Sequence, residues 1–384
     1  MTRYVANAAR RVAKITVALI CLTSGMQVYA QPSTGVQLAN SAHGPAAITA
    51  LGAQISAVAG AYGLTGQNLT TLLRAQPSLG VDRHGALIFA CNGLVAKAPA
   101  NALGANSSVT QLAFGGTVDA FQLHSLPGAS RVIYLDFDGH TTTGTAWNSA
   151  FTAGAPIISQ PFDLDGDPTT FNATERAVIQ SIWKRVAEDY APFAIDVTTE
   201  DPGIEALRKT SAGDNAYGKR VVISPTNWYN TGAGGVAYIG SFDWSTDTPC
   251  FVFTQQLGSY EKYIAEAVAH EAGHTLGLYH DGIGGASPSE YYYGHGDWAP
   301  IMGVGYYKNI TQFSKGEYTN ANNPQDDLAV IATYAPLAGD DHGNTLATAT
   351  VITGTNVATG GTIETQNDVD VFKFNTGSGA SYRW

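Results

Sequence analysis

The chain has 384 residues, of which 44% are hydrophobic and only 13% are charged. This composition excludes an intrinsically disordered chain and is typical of exported proteins, whose surfaces carry Ser, Thr, Asn and Gly in place of ion pairs. The formal net charge of -11 provides no basic surface for a polyanion, which argues against nucleic acid as a partner. The length predicts two or three structural units.

Residues 1–30 have the pattern of a cleaved signal peptide. An apolar run from Ile15 to Leu22 follows the basic residues, and Ala30 precedes Gln31 at the expected cleavage point. A membrane anchor would need roughly 20 apolar residues, about twice the length of this run. We therefore expect a secreted protein that has no membrane attachment once the signal peptide is removed.

Residues 31–127 are predicted to form a pro-region that ends in a linker. The spacing of apolar residues between Ala46 and Leu73 predicts helix, and the run Ala86–Cys91 predicts a short strand. Small and polar residues with Gly and Ser clusters, from Asn92 to about Ser125, are typical of a linker.

Residues 128–336 carry the elements of an α+β domain. An alternating strand at Arg131–Phe137 precedes a helix that begins near Thr174, and a second long helix is predicted over Lys262–Leu276. Between the helices, strands are predicted at residues 194–199, 220–224, 235–238 and 251–254. This order predicts a mixed, twisted sheet with two long helices packed on it.

Residues 337–384 change in composition to Gly, Thr, Asn and Asp, with short β-like runs such as Asp370–Phe374. This predicts an all-β module. Only about 48 residues of it are present, too few strands to close a β-sandwich, so the module is expected to be partial.

The segment His270-Glu271-Ala-Gly-His274 carries the candidate chemistry. On a helix, residues four apart lie about 40° apart around the axis and about 6 Å apart along it, so both imidazoles can share one tetrahedral zinc ion. Glu271 can reach an attacking water without occupying a ligand position, as a general base requires. Gly277 accepts the left-handed conformation that ends a helix, so the chain can turn back and bring His280 in as a third ligand.

The whole pattern, H-E-x-x-H-x-x-G-x-x-H, resembles that of the metzincin metallopeptidases, and Asp281 after the third histidine resembles the adamalysin (reprolysin) branch. Met302 matches the methionine turn that underlies the zinc ligands in that family. The family's tyrosine two residues after the methionine is replaced here by Val304, so no tyrosine switch is expected. The last segment, from Asp340 onward, resembles the start of a bacterial pre-peptidase C-terminal domain.

The resemblance implies one catalytic zinc ion, protein or peptide substrates, and Glu-assisted attack of a zinc-bound water. It also implies that the strand before the active-site helix pairs with extended substrate as a sheet edge. The candidate edge consists of Gly235, Val236, Ala237 and Tyr238. The alternative is that this strand lies inside the sheet.

Cys91 and Cys250 remain after the predicted signal peptide and admit three interpretations. Exported chains with two cysteines most often pair them in a disulfide. A pro-region cysteine could instead cap the zinc and keep the enzyme latent, although the residues around Cys91 do not match the known switch motifs. Free thiols are the third alternative.

Two further alternatives follow from the sequence. Asp163-Leu-Asp165-Gly-Asp167 resembles a fragment of a calcium loop, but its glycine is misplaced and the later glutamate is missing, so a calcium ion is not supported. The rivals to a peptidase are a catalytically silent secreted binding or adhesion protein on the same fold and a zinc hydrolase that acts on something other than peptides. The binding protein can be recognised from its residues. Loss of a ligand or of the base would mark it, and all four residues are present. A monomer is expected.

Overall fold

The computed structural model describes residues 34–94, 119–229, 231–354, 357, 359–365 and 367–374. The predicted signal peptide, most of the linker and the last ten residues lie outside the described part. The helices are α1 Gly44–Leu51, α2 Ile55–Ala61, α3 Gly66–Ala75, α4 Ala146–Phe151, α5 Ala173–Asp189, α6 Glu261–Thr275 and α7 Asp327–Ile331. The strands are β1 Ala42–His43, β2 Leu79–Val81, β3 Leu87–Ala90, β4 Arg131–Asp136, β5 His140–Thr142, β6 Ile157–Ser159, β7 Ile195–Thr198, β8 Tyr217–Ser224, β9 Gly235–Tyr238, β10 Cys250–Phe253, β11 Trp298–Pro300, β12 Ile310–Gln312, β13 Thr350–Ile352 and β14 Phe372–Phe374.

Eight strands form one mixed sheet in the order β1-β2-β3-β9-β10-β8-β4-β7. Strands β10, β8, β4 and β7 are parallel to one another, whereas β1, β2, β3 and β9 pair antiparallel, and β9 is also antiparallel to β10. The predicted mixed sheet is therefore confirmed. Strands β1, β2 and β3, which lie in the predicted pro-region, belong to this same sheet.

The two long helices pack on one face of this sheet. Helix α5 begins with a capping box, in which the Asn172 side chain accepts hydrogen bonds from the backbone of Thr174 and Glu175, and the Glu175 carboxylate accepts one from the backbone of Asn172. Helix α6 is buried along nearly its whole length because α5 covers it on one side and β8, β9 and β10 on the other. The opposite face of the sheet is covered by an aromatic cluster around Trp147, Tyr238 and Phe251.

The stretch Gly44–Ala61 is long and apolar enough to pass a length and hydropathy test for a membrane span, with 28% of it buried. It is broken at Gly52, whose φ is 50°, and Ala47, Leu51 and Val58 belong to the hydrophobic core. The stretch therefore consists of two short helices that each pack a few residues into the hydrophobic core.

After Pro336, the regular elements among the described residues are the two short parallel strands β13 and β14. The predicted β-like run ending at Phe374 is thus present as β14. A partial pre-peptidase C-terminal module remains a prediction.

Candidate metal centre

Helix α6 presents His270, Glu271 and His274, and all three side chains are fully buried. The helix ends as predicted, because Gly277 has φ 90° and its N–H bonds to the carbonyl of His274 at 2.9 Å. The chain then turns back and brings His280 beside the helix, with 3.1 Å between the Nε2 atoms of His274 and His280.

Each of the three imidazoles is held through Nδ1, which leaves Nε2 directed to a common centre. The acceptors are Ile301 O at 2.9 Å for His270, Leu278 O at 2.8 Å for His274 and Glu290 Oε1 at 2.9 Å for His280. An Nδ1–H that donates to an oxygen fixes the tautomer in which Nε2 carries the lone pair, as a metal ligand needs. Burial lowers the pKa of all three histidines, which keeps the rings neutral.

The fourth corner of this cluster is Cys91, which follows β3 in the predicted pro-region. Its Sγ lies 3.7, 3.4 and 3.5 Å from the Nε2 atoms of His270, His274 and His280. Usual zinc bond lengths in a tetrahedron separate sulfur from nitrogen by about 3.6 Å and nitrogen from nitrogen by about 3.3 Å. The four atoms therefore fit a single zinc site with one cysteine and three histidine ligands, and they lie within 4.8 Å of one another.

Of the three interpretations of Cys91 and Cys250, the disulfide is wrong. Both cysteines are free thiols, and both are buried. Cys91 follows β3 and Cys250 begins β10, with β9 between them. Two strands separated by a third are nearly 10 Å apart, well beyond the Cα separation that a disulfide spans. The Sγ of Cys250 contacts the carbonyl of Arg220 instead, at 3.8 Å.

Glu271 lies beside the cluster. Within the described part of the chain, no donor meets the usual hydrogen-bond distance and angle to either of its carboxylate oxygens. Burial raises its pKa well above the usual value, and the Cys91 thiol beside it counteracts part of that effect. A buried carboxylate is costly unless a hydrogen-bond donor or a cation lies beside it, and the centre of the cluster is the nearest place for either. This is the placement expected of a base that acts on a water at the metal.

Gly235 leaves room for this carboxylate. A Cβ added there would overlap Glu271 Oε1, so the glutamate would have to move. Because a displacement of about 1 Å at a reacting group can cost 100-fold in rate, we expect Gly235→Ala to lower kcat/KM for a peptide by about 100-fold. Zinc content should be unchanged, since the histidines are not displaced. Gly213→Ala is the matched control, because a Cβ there meets open space. Equal rates for the two variants would show that Glu271 does not need this position.

Met302 and Asp281 lie beneath the site, as the methionine-turn resemblance implies. The Asp281 N–H donates to the carbonyl of Met302 at 2.9 Å, and a Cβ at Gly273 would lie 2.7 Å from the Met302 sulfur. Burial, with Glu317 nearby, raises the pKa of the Asp281 carboxyl to about 7. These contacts tie the segment after the third histidine to the floor of the site.

Strand β9 is not a sheet edge in this chain, so that prediction needs correction. Strand β3 pairs antiparallel with the side of β9 that faces away from β10. In this pairing Phe89 lies opposite Ala237, and Ala90 lies opposite Val236. Cys91 N donates to Gly235 O at 3.0 Å, and Gly234 N donates to Cys91 O at 3.1 Å. The strand predicted to bind substrate is thus paired with β3 of the predicted pro-region.

The predicted pro-region also contacts the third histidine and its partner Glu290, through residues that the sequence did not indicate. The side-chain amide of Gln76 accepts from the backbone N of His280 at 3.3 Å and donates to its carbonyl at 3.2 Å. Glu290, which bonds His280 Nδ1, accepts from the backbone and hydroxyl of Ser78 at 3.0 and 3.2 Å. A glutamate ten residues after a histidine carries no motif, so only the folded chain reveals this partner.

The carboxylates of the acidic loop around Asp163 accept hydrogen bonds from the loop's own backbone and from a neighbouring side chain. Asp163 Oδ1 accepts from the backbone of Asp165 and Gly166, and Asp165 Oδ2 accepts from Asn172. Together with Glu175, which caps α5, these residues lie close enough to hold an ion. Their hydrogen bonds account for the loop conformation, and calcium stays unsupported here.

The fold and the histidine cluster together are compatible with a metzincin-like metallopeptidase. Residues 200–281, about a fifth of the chain, match the sequence profile of metallo-peptidase family M12B, reprolysin-like. The match runs from just after β7 through the third histidine and Asp281, so it includes the whole ligand pattern. A search of the curated proteins finds no match. The profile match supports zinc-dependent proteolysis as the activity of this domain.

Proposed function

We propose that this chain is a secreted zinc-dependent endopeptidase, synthesised as a latent precursor. The observation that carries the proposal is the buried cluster in which three fixed imidazoles converge with Glu271 beside them. The M12B match over the same segment supports the peptidase class. Three protein ligands leave one position open for chemistry when Cys91 is withdrawn.

The three histidines and Glu271 have separate roles in the proposed reaction. Zinc bound by His270, His274 and His280 would supply a Lewis acid that lowers the pKa of a water and polarises the peptide carbonyl. Glu271 takes the proton from the attacking water and transfers it to the leaving amine as the peptide bond breaks. Its carboxylate, whose pKa is raised by burial, is suited to holding a proton between these two steps.

Latency follows from the same segment that completes the cluster. The Cys91 sulfur fills the fourth corner, and β3 occupies the hydrogen-bonding side of β9. A peptide substrate would need both places. The pro-region therefore blocks the zinc and the substrate strand together until it is cut and displaced.

Export and partners are further parts of the proposal. The signal-like pattern of residues 1–30 supports secretion, and the peptidase class supports protein or peptide substrates. We expect a monomer.

Zinc analysis and casein hydrolysis test the activity directly. The full chain is converted to its active form by limited proteolysis within the linker. We expect about one zinc ion per chain and casein cleavage that a chelator abolishes and zinc restores. His274→Ala should lose both zinc and activity, whereas His295→Ala, an exposed histidine outside the cluster, should keep both. Undiminished casein cleavage by the His274 variant would overturn the proposal.

A further inference from the structure

The ring of Phe89 occupies a fully buried slot next to the candidate metal ligands. It stacks on His274 with ring centroids 4.1 Å apart and an interplanar angle of 16°, and it meets His280 at 4.1 Å and 41°. Tyr279 closes the slot edge-on at 6.2 Å. Three aromatic rings thus surround one aromatic side chain that the pro-region supplies.

The position of this slot relative to the reaction centre is set by strand geometry. Side chains alternate along a strand, so Phe89 and Cys91 of the pro-region share the face that contacts α6. Ile88 and Ala90 face the aromatic cluster on the opposite side of the sheet. A peptide paired with β9 in the same antiparallel register would place one side chain in the slot, two residues before the residue at the metal.

We propose that the Phe89 slot is a substrate subsite for an aromatic side chain. In a substrate this side chain lies two residues before the residue that replaces Cys91, on the N-terminal side of the cleaved bond. The inference rests on the proposed peptidase function and adds to it a substrate class: extended peptides with Phe, Tyr or Trp at that position. The pro-region is then a substrate-like segment in which a cysteine replaces the residue to be cut.

The shape of the slot favours a flat ring over an aliphatic chain. Its two histidine walls are oriented by their Nδ1 hydrogen bonds to Leu278 O and Glu290 Oε1, and neither bond involves Phe89. Stacked and edge-on aromatic pairs contribute beyond the area that they bury. A single methylene gained or lost in a hydrophobic pocket changes kcat/KM by about 10- to 200-fold, so loss of a whole ring should cost at least about 10-fold.

Two matched peptides test the subsite on the zinc-loaded full chain after linker cleavage. One copies residues 87–94 with alanine in place of Cys91, and the other also has alanine in place of Phe89. We expect the Phe peptide to have a kcat/KM at least about 10-fold higher. Mass spectrometry of the products should place the cut on the C-terminal side of the phenylalanine. Equal rates, or a cut on the N-terminal side of the phenylalanine, would overturn the subsite. Failure to cut casein as well would instead count against the peptidase function.

A substitution in the wall of the Phe89 slot distinguishes a loss of aromatic recognition from a general loss of activity. Tyr279→Ala removes one side of the slot, and we expect it to reduce the ratio of kcat/KM between the Phe and Ala peptides several-fold. Tyr293→Ala is the matched control, because its side chain is 46% exposed and lies outside the slot, and it should leave the ratio unchanged. An unchanged ratio in the Tyr279 variant would contradict the assignment of this wall.

Discussion

Replacing Glu271 by Gln is expected to lower kcat for peptide hydrolysis by about 10²- to 10⁴-fold, the usual contribution of a general base. The amide keeps the shape of the side chain but cannot take a proton from water. Zinc content should stay at about one ion per chain, because none of the three histidines bonds to Glu271. The measurement pairs metal analysis with steady-state kinetics on one fluorogenic peptide.

The matched control for this variant is Glu261→Gln on the same helix. Glu261 lies at the first turn of α6, where it binds Arg185 and Ser181, ten residues from the reaction centre. Its loss should leave kcat unchanged. If the Glu271 variant cleaves peptide as fast as the control, the assigned role of the base is wrong. If both variants and the unsubstituted protein hold zinc but cleave no peptide, the silent binding protein becomes the better interpretation.

The helical part of the site was predictable because it depends on local spacing. His270 and His274 lie one turn apart, and this periodicity alone puts them on one face of α6. The turn at Gly277 was predictable for the same reason, since few other residues accept its positive φ. The strands β4, β8, β9 and β10 were also indicated by local pattern to within three residues at their ends.

The place of β3 and Cys91 in the fold was not predictable, because it depends on contacts between distant parts of the chain. Cys91 and His270 are 179 positions apart, and nothing in the run Ala86–Cys91 specifies which strand it joins. The frequency of disulfides in exported proteins favoured pairing with Cys250, but one intervening strand prevents it. The prediction of β9 as an edge failed for the same reason: an edge is a property of the sheet, and β3 fills it.

These two failures have one physical origin. The segment from Leu87 to Leu94 satisfies the free backbone groups of β9, places an aromatic ring on the ligands and brings a sulfur to the centre. Each contact alone is modest, but they all involve one short piece of chain and are lost together when it leaves. In the proposed activation, displacement of this segment would therefore remove the sulfur from the centre and unpair β9 in the same step.

Replacing Cys91 by Ser is expected to remove the metal cap while keeping most of β3 in place. Serine is similar in size but is a poor zinc ligand, so the fourth position becomes available to water. We expect the uncut Cys91→Ser precursor to lose zinc to a chelator faster and to cleave peptide at least about 10-fold faster than the unsubstituted precursor. The remaining pairing of β3 with β9 should keep its rate below that of the processed enzyme.

Replacing zinc by Co²⁺ tests whether the Cys91 sulfur binds the metal, and it does not require a measurement of activity. A thiolate bound to Co²⁺ absorbs in the near ultraviolet by charge transfer, so the cobalt-loaded precursor should show this band and the Cys91→Ser precursor should lack it. Cys250→Ser is the matched control, because Cys250 is equally buried and free but contacts Arg220 O and none of the three histidines. It should keep both the band and the latency. A band that survives in Cys91→Ser, or that disappears in Cys250→Ser alone, would place the metal-bound sulfur elsewhere and remove the structural basis for latency through Cys91.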